Sequence, residues 1–183
     1  MPAMPRESEA KLKVPGLPAV RKALRAAGAC FLQTVLHSDT YFDTPEGALR
    51  GADCGVRIRR QRVLRGRADE PPCRDLVTYK GPRLPNRRLK VRREVQTAVA
   101  DAGVLAEILR ACGLRATVTI RKRRSSYRLG RCRVELDELP KLGCFVEIEG
   151  PTQKAILAVQ RKLGLKGPPI LAPYVALLAD MGK

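Results

Sequence analysis

ESEAKLKV, residues 7–14, is the stretch on which the fold turns. It alternates strictly: Glu7, Glu9, Lys11 and Lys13 fall on one side of an extended chain, and Ala10, Leu12 and Val14 on the other. This period of two predicts a β-strand with one charged face and one aliphatic face.

The same signature returns along the chain. After a Pro-Gly break, Leu17 to Gly28 has helical spacing and a terminal glycine. A second strand is expected over roughly residues 30–36, followed by a loop and short segment, DTYFDTPEGALR. Residues 54–63 place Arg57, Arg59 and Gln61 opposite Val56 and Ile58. Beyond the polar loop RGRADEPPCRD, residues 75–81 align Leu76, Thr78 and Lys80. Residues 89–97 set Lys90, Arg92, Glu94 and Gln96 against Val91 and Val95. A helix is predicted from Asp101 to Cys112, capped by Asp101 and stopped at Gly113. Three strands follow, over residues 116–129, 131–138 and 144–149. The last two align Arg133, Glu135 and Asp137, then Glu147 and Glu149, opposite aliphatic partners. Helices near residues 151–164 and 173–181 close the chain.

A length of 183 residues predicts a single domain, 1–183, with residues 1–5 flexible. An apolar fraction of 44 % excludes wholesale disorder, and four Tyr, three Phe and no Trp argue against a base-stacking surface. Thirty-six Lys and Arg against eighteen Asp and Glu give a formal charge of +18. That excess fits a solvated basic surface, a nucleic acid or a small phosphate-rich ligand. Six cysteines form no CxxC pair, and the lone His37, expected in a loop or at the surface, completes no zinc set. Buried, reduced thiols are expected. The amino-terminal residues have no apolar signal region and no run approaches a membrane span, so a cytoplasmic protein is expected.

Any one of these strands could belong to a half-buried sheet whose charges are wetted by solvent. Their distribution says more. Carboxylates gather on the first strand (Glu7, Glu9) and the last two (Asp137, Glu147, Glu149). Cations gather between: Lys11, Arg57, Arg59, Lys80, Arg92, Lys122 and Arg124. Closing the sheet would bring the first and last strands together and converge five mutually repelling carboxylates. Divalent cations among them, Mg²⁺ or Mn²⁺, would relieve the repulsion. The opposed Lys and Arg side chains would need a polyphosphate as counter-charge. The expected fold is therefore α+β: a closed eight-stranded antiparallel β-barrel, polar inside, with helices packed on the outside.

The ordered motifs resemble the CYTH superfamily, also called triphosphate tunnel metalloenzymes. ESEAK is similar to the family's opening Glu-x-Glu-x-Lys, DTYFDT with GVRIRR to its second block, and VELDELPKLGCFVEIEG to its closing block. TYKGP, VRREV and KRRSSY supply Lys80, Arg92 with Glu94, and Lys122 with Arg124 and Tyr127. The resemblance implies that Lys11, Arg57, Arg59, Lys80, Arg92, Lys122 and Arg124 hold phosphate oxygens. It implies that Glu7, Glu9, Asp137, Glu147 and Glu149 coordinate one or two Mg²⁺ or Mn²⁺ ions, with Glu7, Glu9 and Lys11 central to catalysis. Strand parity leaves Arg121 and Arg123 as competitors of Lys122 and Arg124, a conflict that a β-bulge in this segment would resolve. LVTYKGP, KRRSSY and APYVALL are most similar to class IV adenylate cyclases, which convert ATP to cyclic AMP and pyrophosphate. DTPEGALR also suits the alternative, a triphosphatase acting on inorganic triphosphate, thiamine triphosphate or a nucleotide. The rival from another class is a non-catalytic nucleic-acid or polyphosphate binder, suggested by the net charge and the arginine-rich stretches 57–67 and 83–93, whose further cations Arg60, Arg62, Arg65, Arg67, Arg87 and Arg88 could instead steer anionic substrates. A monomer and a homodimer are both compatible with the pattern.

Overall fold

The computed structural model describes residues 6–67, 74–85 and 89–181, with side chains described from Ser8 onward. Among these residues the chain forms eight strands: β1 (Arg6–Val14), β2 (Cys30–Asp43), β3 (Gly55–Gly66), β4 (Asp75–Arg83), β5 (Lys90–Val99), β6 (Arg115–Leu129), β7 (Cys132–Leu139) and β8 (Gly143–Glu149). Five helices accompany them: α1 (Leu17–Ala26), α2 (Ala48–Gly51), α3 (Ala102–Ala111), α4 (Gln153–Lys162) and α5 (Tyr174–Asp180). The strands close into an antiparallel barrel in the order β1-β5-β4-β3-β2-β6-β7-β8. The closing pair sets Glu9 opposite Glu149 and Lys11 opposite Glu147, and closure leaves no sheet edge to template aggregation.

The aliphatic faces of β1, β7 and β8 are covered by helices, whereas Val63 of β3 and Val95 of β5 stay exposed. Leu17, Val20 and Leu24 of α1 and Ile156 and Val159 of α4 bury Ala10, Leu12, Val134, Leu136, Val146 and Ile148 in one core. Helix α3 packs Leu105 and Leu109 over Phe42 and Ile58. Its first turn is capped as expected, with the Asp101 carboxylate accepting from the backbone N–H groups of Gly103 and Val104. Thr152 caps α4 in the same way through Ala155 N–H. Helix α5 has a different place: Tyr174, Val175 and Leu178 meet the inward-facing Ile120, Leu139 and Phe145 and line one end of the barrel interior with apolar groups.

That apolar end settles the parity conflict on β6. Ile120, Lys122 and Arg124 are all buried and alternate with exposed Arg121 and Arg123. No bulge is needed between residues 118 and 124; the register shift on this strand lies opposite Tyr41 and Phe42, before Val118. The expectation that aliphatic residues always face outward failed because α5 gives Val118 and Ile120 an apolar partner inside.

Strand β2 is longer than expected, running fourteen residues to Asp43. Its polar second half looked like a loop, yet Ser38 to Phe42 pair with both β3 and β6. The loop begins only at Thr44, where the Asp43 carboxylate accepts N–H groups from Thr44, Leu49 and Arg50. DTPEGALR is thus organised as a strand terminus. The five described cysteines are unpaired, but only Cys132 is buried, and Cys112, at the end of α3, is exposed. Among the described residues no helix is long and apolar enough to cross a membrane. The expectations for residues 1–5, Cys73, Arg87 and Arg88 fall outside the described residues.

Candidate active site

The inward faces enclose a cavity of about 1230 Å³. Because successive side chains alternate across a strand, Glu9 and Lys11 of β1 and Glu147 and Glu149 of β8 line it together, while Lys13, nearer the end of β1, is exposed. Glu9, Glu147 and Glu149 come together at the β1–β8 closure, with one carboxylate oxygen of each within 4.8 Å of the others. Glu7 lies on β1 in register with Arg92.

Asp137 stands apart from this trio. It is fully buried, and its carboxylate accepts from Arg124 Nε and Nη2, both at 2.6 Å, from Lys122 Nζ at 2.8 Å and from the Tyr174 hydroxyl at 3.0 Å. The five carboxylates therefore do not converge at one point. Glu147 also meets Arg124, and Lys11 Nζ lies 3.4 Å from Glu147 Oε1. Lys11 further donates to the Ala172 carbonyl at 3.2 Å and sits 4.1 Å from the centre of the Tyr174 ring.

The opposite wall carries the arginines. Arg59 grips Asp39 through two bonds of 2.7 Å, and Arg57 reaches the same carboxylate at 3.5 Å. Arg57 also donates to Thr78 Oγ1 at 3.0 Å, and that hydroxyl donates to Gln96. Lys80 pairs with Glu94. Arg92 Nη2 donates to the Asp53 backbone oxygen and carboxylate, both at 3.3 Å. All seven sequence-predicted cations thus line one cavity or its mouth, and internal carboxylates supply counter-charge that the sequence reading had left to a ligand.

Several participants were not among the predicted site residues. Lys90 is 8 % exposed and bonds Glu9 at 2.6 Å; its alternation with Arg92 was visible in the sequence. Glu135 is held by Ser126 and Arg133, both at 2.5 Å. Asp39 was missed because β2 was ended too early. His37, expected at the surface, is buried in the cavity wall for the same reason. Tyr127, quoted with the basic motif, faces outward against Phe31.

The electrostatics follow from these pairs. Burial opposes ionisation of Asp39, but Arg59 and Arg57 outweigh it and hold the carboxyl below its ordinary range. Burial likewise opposes ionisation of Glu147 and Asp137, and Arg124 foremost among their neighbours keeps both low. Lys122 is pushed down, first by burial and then by Arg124. Burial and the adjacent Glu147 and Asp137 raise Tyr174, so its hydroxyl keeps its proton and serves as a donor. An oxygen-only trio beside paired cations can hold a divalent ion against a polyanion.

A closed antiparallel barrel with buried cations and carboxylates lining its interior defines a tunnel-type protein. The chain belongs to the CYTH domain family, whose model matches residues 5–166. It is 31 % identical over 143 residues to the adenylate cyclase CyaB of Aeromonas hydrophila, covering 78 % of this chain and 67 % of that protein. It is 29 % identical over 143 residues to MJ0240 of Methanocaldococcus jannaschii, provisionally named an adenylate cyclase, covering 78 % and 75 %. In fold it is similar to PH1012 of Pyrococcus horikoshii, with a TM-score of 0.74 at 26 % identity over 93 % of this chain and 98 % of that one. HpAC1 from Hippeastrum, described as having a dominant triphosphatase activity, shares the fold at a TM-score of 0.70 and 20 % identity, over 96 % of each chain.

Proposed function

We propose that the protein is a divalent-metal-dependent enzyme acting on a triphosphate inside the barrel, and that the reaction is conversion of ATP to cyclic AMP and pyrophosphate. The observation that carries this reading is the meeting of Glu9, Glu147 and Glu149 with an array of buried cations in one cavity of about 1230 Å³. The cavity is also two-sided. Its apolar end, lined by Tyr41, Val118, Val175 and Leu178, suits a nucleoside better than it suits inorganic triphosphate.

Glu9, Glu147 and Glu149, with Glu7 as the neighbouring donor on β1, would hold Mg²⁺ or Mn²⁺. When bound, such an ion supplies charge neutralisation at phosphate oxygens. Arg57, Arg59, Lys122 and Arg124 bind and orient the phosphates, exchanging part of their contact with Asp39 and Asp137 for phosphoryl oxygens. Lys11, Lys90, Lys80 and Arg92 extend the same grip. These cations stabilise the charge that develops as the substrate's own 3′-hydroxyl attacks the α-phosphorus and pyrophosphate leaves. Asp39 and Asp137 keep the arginines in place, and the closed wall limits water. A cytoplasmic monomer or homodimer acting on a small molecule is part of this reading.

Hydrolysis of a triphosphate is the second reading, favoured by the density of cations, which needs no nucleoside to be useful. Pure protein incubated with Mg²⁺ or Mn²⁺ and either ATP or inorganic triphosphate separates them. Cyclic AMP with equimolar pyrophosphate is expected. Orthophosphate without cyclic AMP transfers the assignment to hydrolysis, and no product from either substrate contradicts both.

A further inference from the structure

The catalytic reading gives no task to His37. His37 sits in the middle of β2, 5 % exposed, and lines the cavity. In register it faces Gln61 on β3 and Lys122 on β6. Among the described residues no donor or acceptor reaches either ring nitrogen. A buried polar group in that condition is rare and works against the fold. Two residues earlier on the same face, Val35 fills its place with an apolar side chain.

The charged groups facing His37 are Asp39 from its own strand, Arg59 from β3, and Lys122 and Arg124 from β6. Asp39 is already engaged by Arg59 and Arg57. Burial first, and then the three cations, hold the imidazole far below its usual pKa, so it is neutral. A neutral imidazole has one N–H to give and one lone pair to offer. The ring lines the same cavity as those three cations, which are assigned above to phosphate.

We propose that His37 is a phosphate-contacting residue: its ring N–H donates to a non-bridging oxygen of the polyanion held by Arg59, Lys122 and Arg124, and the ring gains a proton as that ligand binds. The inference rests on the triphosphate reading and adds a specific contact and a proton linkage to it. The sign of the linkage is fixed by charge. Burial of the ring persists in the complex, but a polyanion offsets the charge of Arg59, Arg124 and Lys122, which raises the affinity of the ring for a proton. Binding then takes up a proton, and ligand affinity weakens as the pH rises through the value of the complexed imidazole.

The chain contains a single histidine, so its imidazole signals belong to His37 alone. Inorganic triphosphate is titrated, without divalent metal, into full-length protein carrying ¹⁵N-histidine, with calorimetry in parallel on wild type, His37→Gln and His37→Leu. The ring ¹⁵N signals are expected to move from the neutral toward the imidazolium pattern at saturation. His37→Leu weakens binding about tenfold, the worth of one charge-assisted hydrogen bond, and His37→Gln restores part of it. His37→Leu also melts at or above the wild-type temperature, because it removes an orphaned polar group; a purely structural histidine would show the reverse. Triphosphate that binds wild type while the ring signals stay unmoved, or that binds His37→Leu as tightly, overturns the role of His37 alone. Wild-type protein that binds no triphosphate overturns the reading of the cavity and this inference with it.

Discussion

Asp137→Ala removes the carboxylate that fixes two buried cations, and its cost can be worked from the contacts. Arg124 gives Asp137 two hydrogen bonds of 2.6 Å, Lys122 gives one of 2.8 Å and Tyr174 one of 3.0 Å. Deleting one member of a buried ion pair costs about 3–5 kcal/mol, since the remaining charge stays buried without compensation. Glu147 remains beside Arg124, which favours the lower part of that range, about 3–4 kcal/mol. At about 2–4 °C per kcal/mol for a chain of this size, the melting temperature falls by roughly 6–16 °C. Asp137→Asn, which keeps the shape and one acceptor, falls between wild type and alanine. Urea and thermal unfolding followed by circular dichroism at neutral pH give the numbers, and Mn²⁺ binding is measured on the same samples. Stability within about 1 kcal/mol of wild type, combined with lost Mn²⁺ affinity, would refute the scaffold role and return Asp137 to the metal-binding set.

Three further outcomes are expected. Glu149→Gln keeps the fold by circular dichroism and lowers metal-dependent turnover by about 100-fold or more, since even indirect partners of metal ligands are worth 10–100-fold; unchanged turnover would remove Glu149 from the site. Stability to urea declines below about pH 6.5, where the unfolded chain protonates His37 and the buried ring does not, and falls more steeply below about pH 4. In that lower window the unfolded chain protonates Asp39 and Glu147, whose folded values are depressed, so their contribution is complete above it and is lost as the pH falls; a protein that grew more stable on acidification would contradict these assignments. Duplex DNA binds weakly through the exposed Arg60, Arg62, Arg121 and Arg123 and is released by about 200 mM salt. Tight binding above that salt that survives Glu9→Gln would favour the nucleic-acid reading instead.

Strand alternation carried most of the fold and set the predicted cations along one cavity. The charged faces of β1, β3, β5, β7 and β8 turned inward as their period required, because a closed sheet with helices outside has only one apolar surface to cover. What alternation could not supply was the pairing inside the barrel. Arg59 with Asp39 and Arg124 with Asp137 join strands by register, and register depends on closure and on bulges that leave little trace in the sequence. Asp39 and His37 were lost for a local reason. Ser38, Asp39 and Thr40 favour turns in isolation, and only strand partners on both sides, β3 and β6, keep them extended. Val118 and Ile120 misled the reading in the other direction, since nothing in an apolar pair says that a carboxy-terminal helix will meet it from inside the barrel.

The most direct test of the account is the place where metal and triphosphate meet. Crystals grown with Mn²⁺ and a non-hydrolysable ATP analogue, measured at a wavelength where manganese scatters anomalously, locate both. A manganese peak is expected at metal–oxygen bonding distance, about 2.0–2.3 Å, from the carboxylates of Glu9, Glu147 and Glu149. The phosphate chain is expected inside the barrel against Arg57, Arg59, Lys122 and Arg124. Manganese away from the β1–β8 closure, or an analogue seated only on the outer arginine face, would contradict it.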